Sequence, residues 1–158
     1  SLLRAALTHR SAVATLADAS ERLEFLGDAL LGGIVARALV EGFPPDTEEG
    51  VLTRSRIAVI RRETLADAGR RLGLDALLAV GENERRQGRH REEGLLAEAY
   101  EALVGAMALE RGDEAARAFV RETLGAQIDA VLREPPQADP KNLLQERVQE
   151  GGGPTPEY

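Results

Sequence analysis

The stretch ERLEFLGDALL, residues 21–31, sets three carboxylates, Glu21, Glu24 and Asp28, among leucines spaced for a helix. At about 100° per residue the three acids fall within an arc of roughly 60°. Leu23, Leu26, Leu30 and Ile34 are expected on the opposite side as the core stripe. A solvated acidic face would be the simplest account. Two residues argue against it, because Leu31 and Val35 continue the acidic stripe toward the C-terminus. Phe25, a large aromatic, also lies beside the acids and off the core stripe. An aromatic there suits a partner contact better than open solvent.

A second acidic pair lies in LLAEAYEALVGAMALE, residues 95–110, where Glu98 and Glu101 stand three residues apart on one helical face. Leu96, Tyr100, Leu103 and Met107 are expected as the opposing core stripe. The acids are surrounded by Ala97, Ala102, Gly105 and Ala108, small residues that let another helix approach closely. Enclosed carboxylates repel and raise each other's pKa unless a cation lies between them. If the two helices pack side by side, four or five hard oxygen ligands converge. That donor set fits magnesium or manganese and not zinc, since the chain has no cysteine and two histidines. Di-iron bundles use Glu-x-x-His pairs, and His9 and His90 both lie off these helices. Residue types alone leave open metal-assisted cleavage of a phosphodiester or of a pyrophosphate, as in all-α nucleotide pyrophosphohydrolases.

The frame around these pairs is all-α. The 158 residues suit one main domain with its own core, with 43% hydrophobic and 30% charged residues. A short first helix is expected to end near Thr8-His9-Arg10, with His9 as a structural residue at its end. The next helix, capped by Asp18 or Ser20, runs to about Glu41 and stops at Gly42 and Pro44-Pro45. One long helix is expected from about Glu48 to Leu72, then a short one near Asp75–Leu78 and a polar loop over 81–94 that holds His90. Helices follow over about Leu95–Glu110 and Asp113–Arg133, then a proline-containing linker, 134–139, and a last helical stretch that GGG ends. The opening SLLRAAL starts in mid-pattern and PEY follows a newly ended helix, so truncation at both ends is expected. No apolar run approaches the roughly 18 residues that span a bilayer, and a soluble cytoplasmic protein is expected. The net charge of −7 counts against a nucleic-acid partner only if basic residues are evenly spread.

Four segments together carry a family resemblance: LTHRS (7–11), ERLEFLGDALL (21–31), FPPDTEEGVLTRSR (43–56) and LLAEAYEALVGAMALERG (95–112). In order and spacing they resemble the ribonuclease III family. DPKNLLQERVQEGGGPTPEY (139–158) resembles the opening of a double-stranded-RNA-binding domain. The resemblance implies an endonuclease domain over 1–133 lacking its N-terminal helix, a linker over 134–139 and the start of an RNA-binding domain over 140–158. It implies a homodimer with its catalytic valley at the interface. The implied activity is magnesium-dependent hydrolysis of double-stranded RNA to 5′-phosphate and 3′-hydroxyl ends, in rRNA and mRNA processing, with manganese as a substitute ion.

Carried over by position, Glu24, Asp28, Glu98 and Glu101 are implied metal ligands and catalytic residues, with Glu21 and Glu49 as further acids of the valley. Phe25 matches an aromatic that inserts into the partner subunit. Glu98 departs from the family, which has aspartate there; its extra methylene moves the carboxylate by about 1.5 Å. Gly94 stands where the family often has a serine cap. Arg54, Arg56, Arg61 and Arg62 on the third helix are possible sources of positive charge for RNA. The loop arginines Arg85, Arg86, Arg89 and Arg91 are the better candidates, with Gln145 in the tail as a further weak RNA contact. A-form RNA is read by shape and 2′-hydroxyls, so little sequence specificity is expected. A non-catalytic relative that binds duplex RNA is the alternative within the family.

Overall fold

The computed structural model describes residues 1–137, and the expected RNA-binding start at 140–158, with Gln145, lies outside them. The described chain is all-α. We label the α-helices α1 (Leu2–Ala6), α2 (Glu21–Gly42), α3 (Glu49–Ile60), α4 (Arg62–Arg71), α5 (Leu74–Leu77), α6 (Glu82–Arg86), α7 (Glu93–Arg111) and α8 (Asp113–Arg133). A single isolated bridge, Thr8 to Ala79, is the only β pairing among the described residues.

Helix α7 is the central element. α1, α2, α4 and α8 all pack against it, and it buries Leu96, Ala97, Ala99, Tyr100, Ala102, Val104, Gly105 and Ala106. These positions go all round the helix, as expected of an element surrounded by others. Tyr100 is fully buried, stacks on Phe119 with ring centroids 5.6 Å apart, and pairs its hydroxyl with Thr123 Oγ1 at 2.6 Å. Leu103 and Met107, expected in the core, pack at its edge.

The α2–α7 contact is the most extensive in the fold, and it is made through glycine. A Cβ built on Gly27 would overlap the Glu101 carbonyl oxygen and come within 3.0 Å of the Gly105 backbone nitrogen. A Cβ on Gly105 would overlap the Leu23 carbonyl and come within 3.2 Å of the Gly27 nitrogen. The two backbones therefore touch where each lacks a side chain. The buried stripe of α2 is Leu23, Gly27, Leu31, Val35 and Leu39. This corrects the expected stripe, because Leu26, Leu30 and Ile34 are only partly buried. Four-residue steps advance the stripe about 40° each, so it slants across α2 into the sector that holds the acids.

Three further expectations are corrected. The long third helix is two helices, α3 and α4, broken at Arg61, whose ψ of 152° is extended. The Thr64 hydroxyl donates to the Ala58 carbonyl at 3.3 Å, satisfying an acceptor at the end of α3 that a continuous helix would have satisfied itself. The 81–94 segment is not all loop, since it holds α6 and a 3₁₀ turn over Arg89–Arg91. His90, in that turn, is buried. Ser20 precedes α2 but makes no side-chain cap; its backbone N–H donates to the Thr8 carbonyl at 3.0 Å.

LTHRS thereby becomes a tether. His9 N–H donates to the Ala79 carbonyl at 2.9 Å, Gly81 N–H donates to Ser11 Oγ at 2.9 Å, and Thr8 anchors the start of α2. His9 sits at a helix end, as expected, with its ring Nδ1 accepting from the Ser11 N–H.

Replacing Gly27 by alanine should force α2 off α7 and cost about 3 kcal/mol or more. Gly33→Ala, where a Cβ meets nothing within 4 Å, should be neutral or add up to about 1 kcal/mol. Denaturant unfolding of the two variants checks the contrast.

Candidate active site

The glycine crossing sets the distance between the two acidic pairs. Gly27 lies against the Glu101 backbone, and Glu24 and Asp28 flank it in sequence. One turn back along α7 from Glu101 stands Glu98, on the same face. Glu24, Glu98 and Glu101 are half-buried, while Asp28 and Glu21 are exposed.

The electrostatics record how closely these groups gather. Glu101 is pushed up to about 7, first by burial and then by the charges of Asp28, Glu24 and Glu98, with Arg62 working the other way. Glu24 is raised as well, by burial first and then by Glu98, Glu21 and Asp28. Four carboxylates from two helices thus act on one another across the crossing. Glu21 joins at the margin, where Arg10 Nη1 lies 3.7 Å from its carboxylate. Glu49 does not figure among the charges acting on Glu24 or Glu101. It opens α3 and accepts a long 3.4 Å hydrogen bond from the Thr53 hydroxyl.

A divalent cation suits this donor set. The oxygens are hard, and two of the carboxyls are held above their ordinary range by burial and by neighbouring negative charge that a cation would neutralise. Among the described residues no three ligands are gathered into ready-made coordination geometry, so the fit is one of donor type and placement. Mutual repulsion opposes closer approach of four carboxylates.

Phe25 is 82% exposed, the most exposed large apolar residue described, directly beside the acids. The candidate RNA-binding arginines divide. Arg85 donates to the Leu78 carbonyl at 2.8 Å and holds the 81–94 segment to the fold, and Arg86 pairs with Glu82 at 3.0 Å. Arg89 and Arg91 are exposed. Helix α7 begins at Glu93, one residue before Gly94, and Glu92 at its cap makes no side-chain bond. Arg62, placed by the sequence within a long helix, instead opens α4, because the chain breaks at Arg61, and its charge works to lower the Glu101 pKa.

Residues 1–128 match the family model for ribonuclease-III-like domains. The chain is 40% identical to ribonuclease 3 of Idiomarina loihiensis over 99% of this chain and 67% of that protein. It is 44% identical to ribonuclease 3 of Alcanivorax borkumensis over 94% of this chain and 64% of that protein. The chain belongs to the ribonuclease-III-like family. It spans about two thirds of the length of these curated relatives. Among solved structures, it resembles the nuclease domain of ribonuclease III from Campylobacter jejuni, with a TM-score of 0.71, 33% identity and 87% of each chain covered. A more distant likeness is to Dicer from Pichia stipitis, with a TM-score of 0.52, 29% identity and coverage of 81% of this chain and 60% of that one. The all-α architecture expected from the sequence is the family's architecture.

A carboxyl raised from 4.5 to about 7 favours folding while protonated in both states and loses that contribution as it ionises. Without added metal, thermal stability should therefore fall as pH rises from about 4.5 through about 7. Glu101→Gln should flatten that fall and melt above the unsubstituted protein at pH 8, as checked by scanning calorimetry across this range.

Proposed function

We propose that the chain is the nuclease part of a ribonuclease III that hydrolyses both strands of double-stranded RNA. The observation that carries this reading is the Gly27–Gly105 crossing of the two helices that bear Glu24, Asp28, Glu98 and Glu101, in a member of this family. In this proposal those four residues hold the divalent cations, magnesium physiologically and manganese as a substitute. A bound cation supplies an activated water and neutralises charge on the leaving 3′ oxygen, giving 5′-phosphate and 3′-hydroxyl ends. No side chain serves as nucleophile. Glu21 and Glu49 shape the edge of the valley, and Glu98, longer by a methylene than aspartate, would be one of the residues holding the ions.

The chain's own contribution is placement. Burial and like charge push Glu101 up to about 7, and a bound cation would favour its charged form. Exposed Phe25 is the proposed anchor of a homodimer, since an aromatic left 82% exposed in a structured helix suits a covered interface. The related Campylobacter nuclease domain has a region involved in dimer formation, which supports this reading. The linker over 134–139 would lead from the nuclease domain, 1–133, to an RNA-binding domain starting at 140. Arg89 and Arg91 remain proposed RNA contacts, as do Arg85 and Arg86 beside their structural bonds, and Gln145 in the tail. The proposed setting is cytoplasmic rRNA and mRNA processing; among the described residues no helix is long and apolar enough to cross a membrane.

The acidic helix pairs are shared with all-α nucleotide pyrophosphohydrolases, but LTHRS and the family match favour the nuclease. Cleavage of a long RNA duplex in saturating magnesium, resolved on a denaturing gel, should yield short products. Glu101→Gln, which keeps the shape and removes the charge, should lower the rate by at least about 100-fold, the scale of losing a key electrostatic group. Undiminished cleavage by that variant would sink the assignment.

A further inference from the structure

Two contacts fix the register of α4 on α7, and one charge effect agrees with them. Arg70 Nη2 lies 3.9 Å from the Glu93 carboxylate. A Cβ on Gly69 would come within 3.2 Å of the Leu96 carbonyl oxygen. In that register Arg62, two turns before Gly69, falls level with α7 about two turns after Leu96, and its charge works to lower the Glu101 pKa. As the numbers fall along α4 they rise along α7, so the helices run antiparallel and the first residue of α4 arrives beside the acidic site. The break at Arg61 is what allows this, because it redirects the chain to lie along α7.

The arginines around this corner differ in what engages them. Arg61 reaches the Thr64 hydroxyl and Glu63, Arg70 pairs with Asp67 and Glu93, and Arg71 donates to the Thr123 carbonyl. Arg54 donates to the Pro136 carbonyl. Arg62 is exposed, and among the described residues it has no hydrogen bond or ion pair. It is also the only cation among the charges that act on Glu24 and Glu101.

From this placement we infer that Arg62 is a substrate-binding residue, whose guanidinium grips a phosphate of the RNA strand lying over the four carboxylates. The inference rests on the nuclease reading and names one contact within it. A phosphodiester approaching four carboxylates is repelled until positive charge offsets them. Arginine at the rim supplies that charge and offers two parallel N–H donors to a phosphate. Its solvent exposure makes it available to a ligand at little cost in stability. A contact to phosphate carries no base information, so Arg62 sets affinity and register and leaves sequence preference unchanged.

The test compares the unsubstituted protein, Arg62→Ala and Arg62→Lys, each binding a 30-base-pair RNA duplex over a salt series in calcium. Cleavage in magnesium is then followed on the same duplex. Arg62→Ala should weaken binding about tenfold, the scale of one charged hydrogen-bonded contact. It should also reduce the slope of log affinity against log salt by roughly one for each Arg62 engaged. KM should rise with kcat nearly kept. Arg62→Lys, which keeps the charge, should restore the salt slope while recovering only part of the affinity. Unfolding of Arg62→Ala should match that of the unsubstituted protein. Equal salt slope and equal KM for Arg62→Ala would overturn the role of Arg62 alone, with the nuclease reading intact. An unsubstituted protein that neither binds nor cleaves the duplex would overturn both.

Discussion

The backbone contact of Gly27 with Gly105 is the constraint from which the rest of the site follows. Any side chain at either position would overlap a carbonyl of the opposite helix. Two glycines at one crossing bring α2 and α7 together at a separation that larger residues forbid. Glu24, Glu98 and Glu101 then stand half-buried at the crossing, with Asp28 exposed beside them. Half-burial and mutual repulsion follow, and they appear as the raised pKa of Glu24 and Glu101. A site under such strain suits positive charge. The fold thus holds its acids where they are unfavourable alone and favourable with a cation.

The surrounding elements hold that crossing in place. α8 backs α7 from the other side through Tyr100, Phe119 and Thr123, a buried aromatic contact with its hydroxyl satisfied. The LTHRS tether fixes the start of α2 through Thr8 and ties 79–81 to the same corner. α4, turned at Arg61, packs along α7 with Arg62 as its first residue. Tyr100 and the α4 residues Leu65, Ala66 and Ala68 belong to one buried core with Leu31, Val35, Leu39, Val59 and Leu124, which supplies the bulk of the burial.

Much of this was legible in the sequence, and the misses have physical causes. The end of α7, the start of α8 and the end of α2 were marked by Gly112, Gly42 and the prolines after it, whereas α7 starts two residues before the expected Leu95. The small residues around Glu98 and Glu101 correctly announced a close helix neighbour. The slant of the α2 stripe was missed because its pivot is Gly27, which has no hydrophobic side chain to mark it. The break at Arg61 was missed because neither glycine nor proline makes it. It depends on Thr64 reaching back to Ala58, a contact no periodicity encodes. Arg62 could have been singled out only with that break in hand.

The four carboxylates are proposed to form a receptor for a divalent cation. Calorimetric titration of manganese into the protein at pH 8, without RNA, measures it most directly. The account predicts saturable binding by the unsubstituted chain that Glu101→Gln weakens by at least about tenfold, as loss of a charged ligand should. Absence of binding, or equal binding by both proteins, would contradict it.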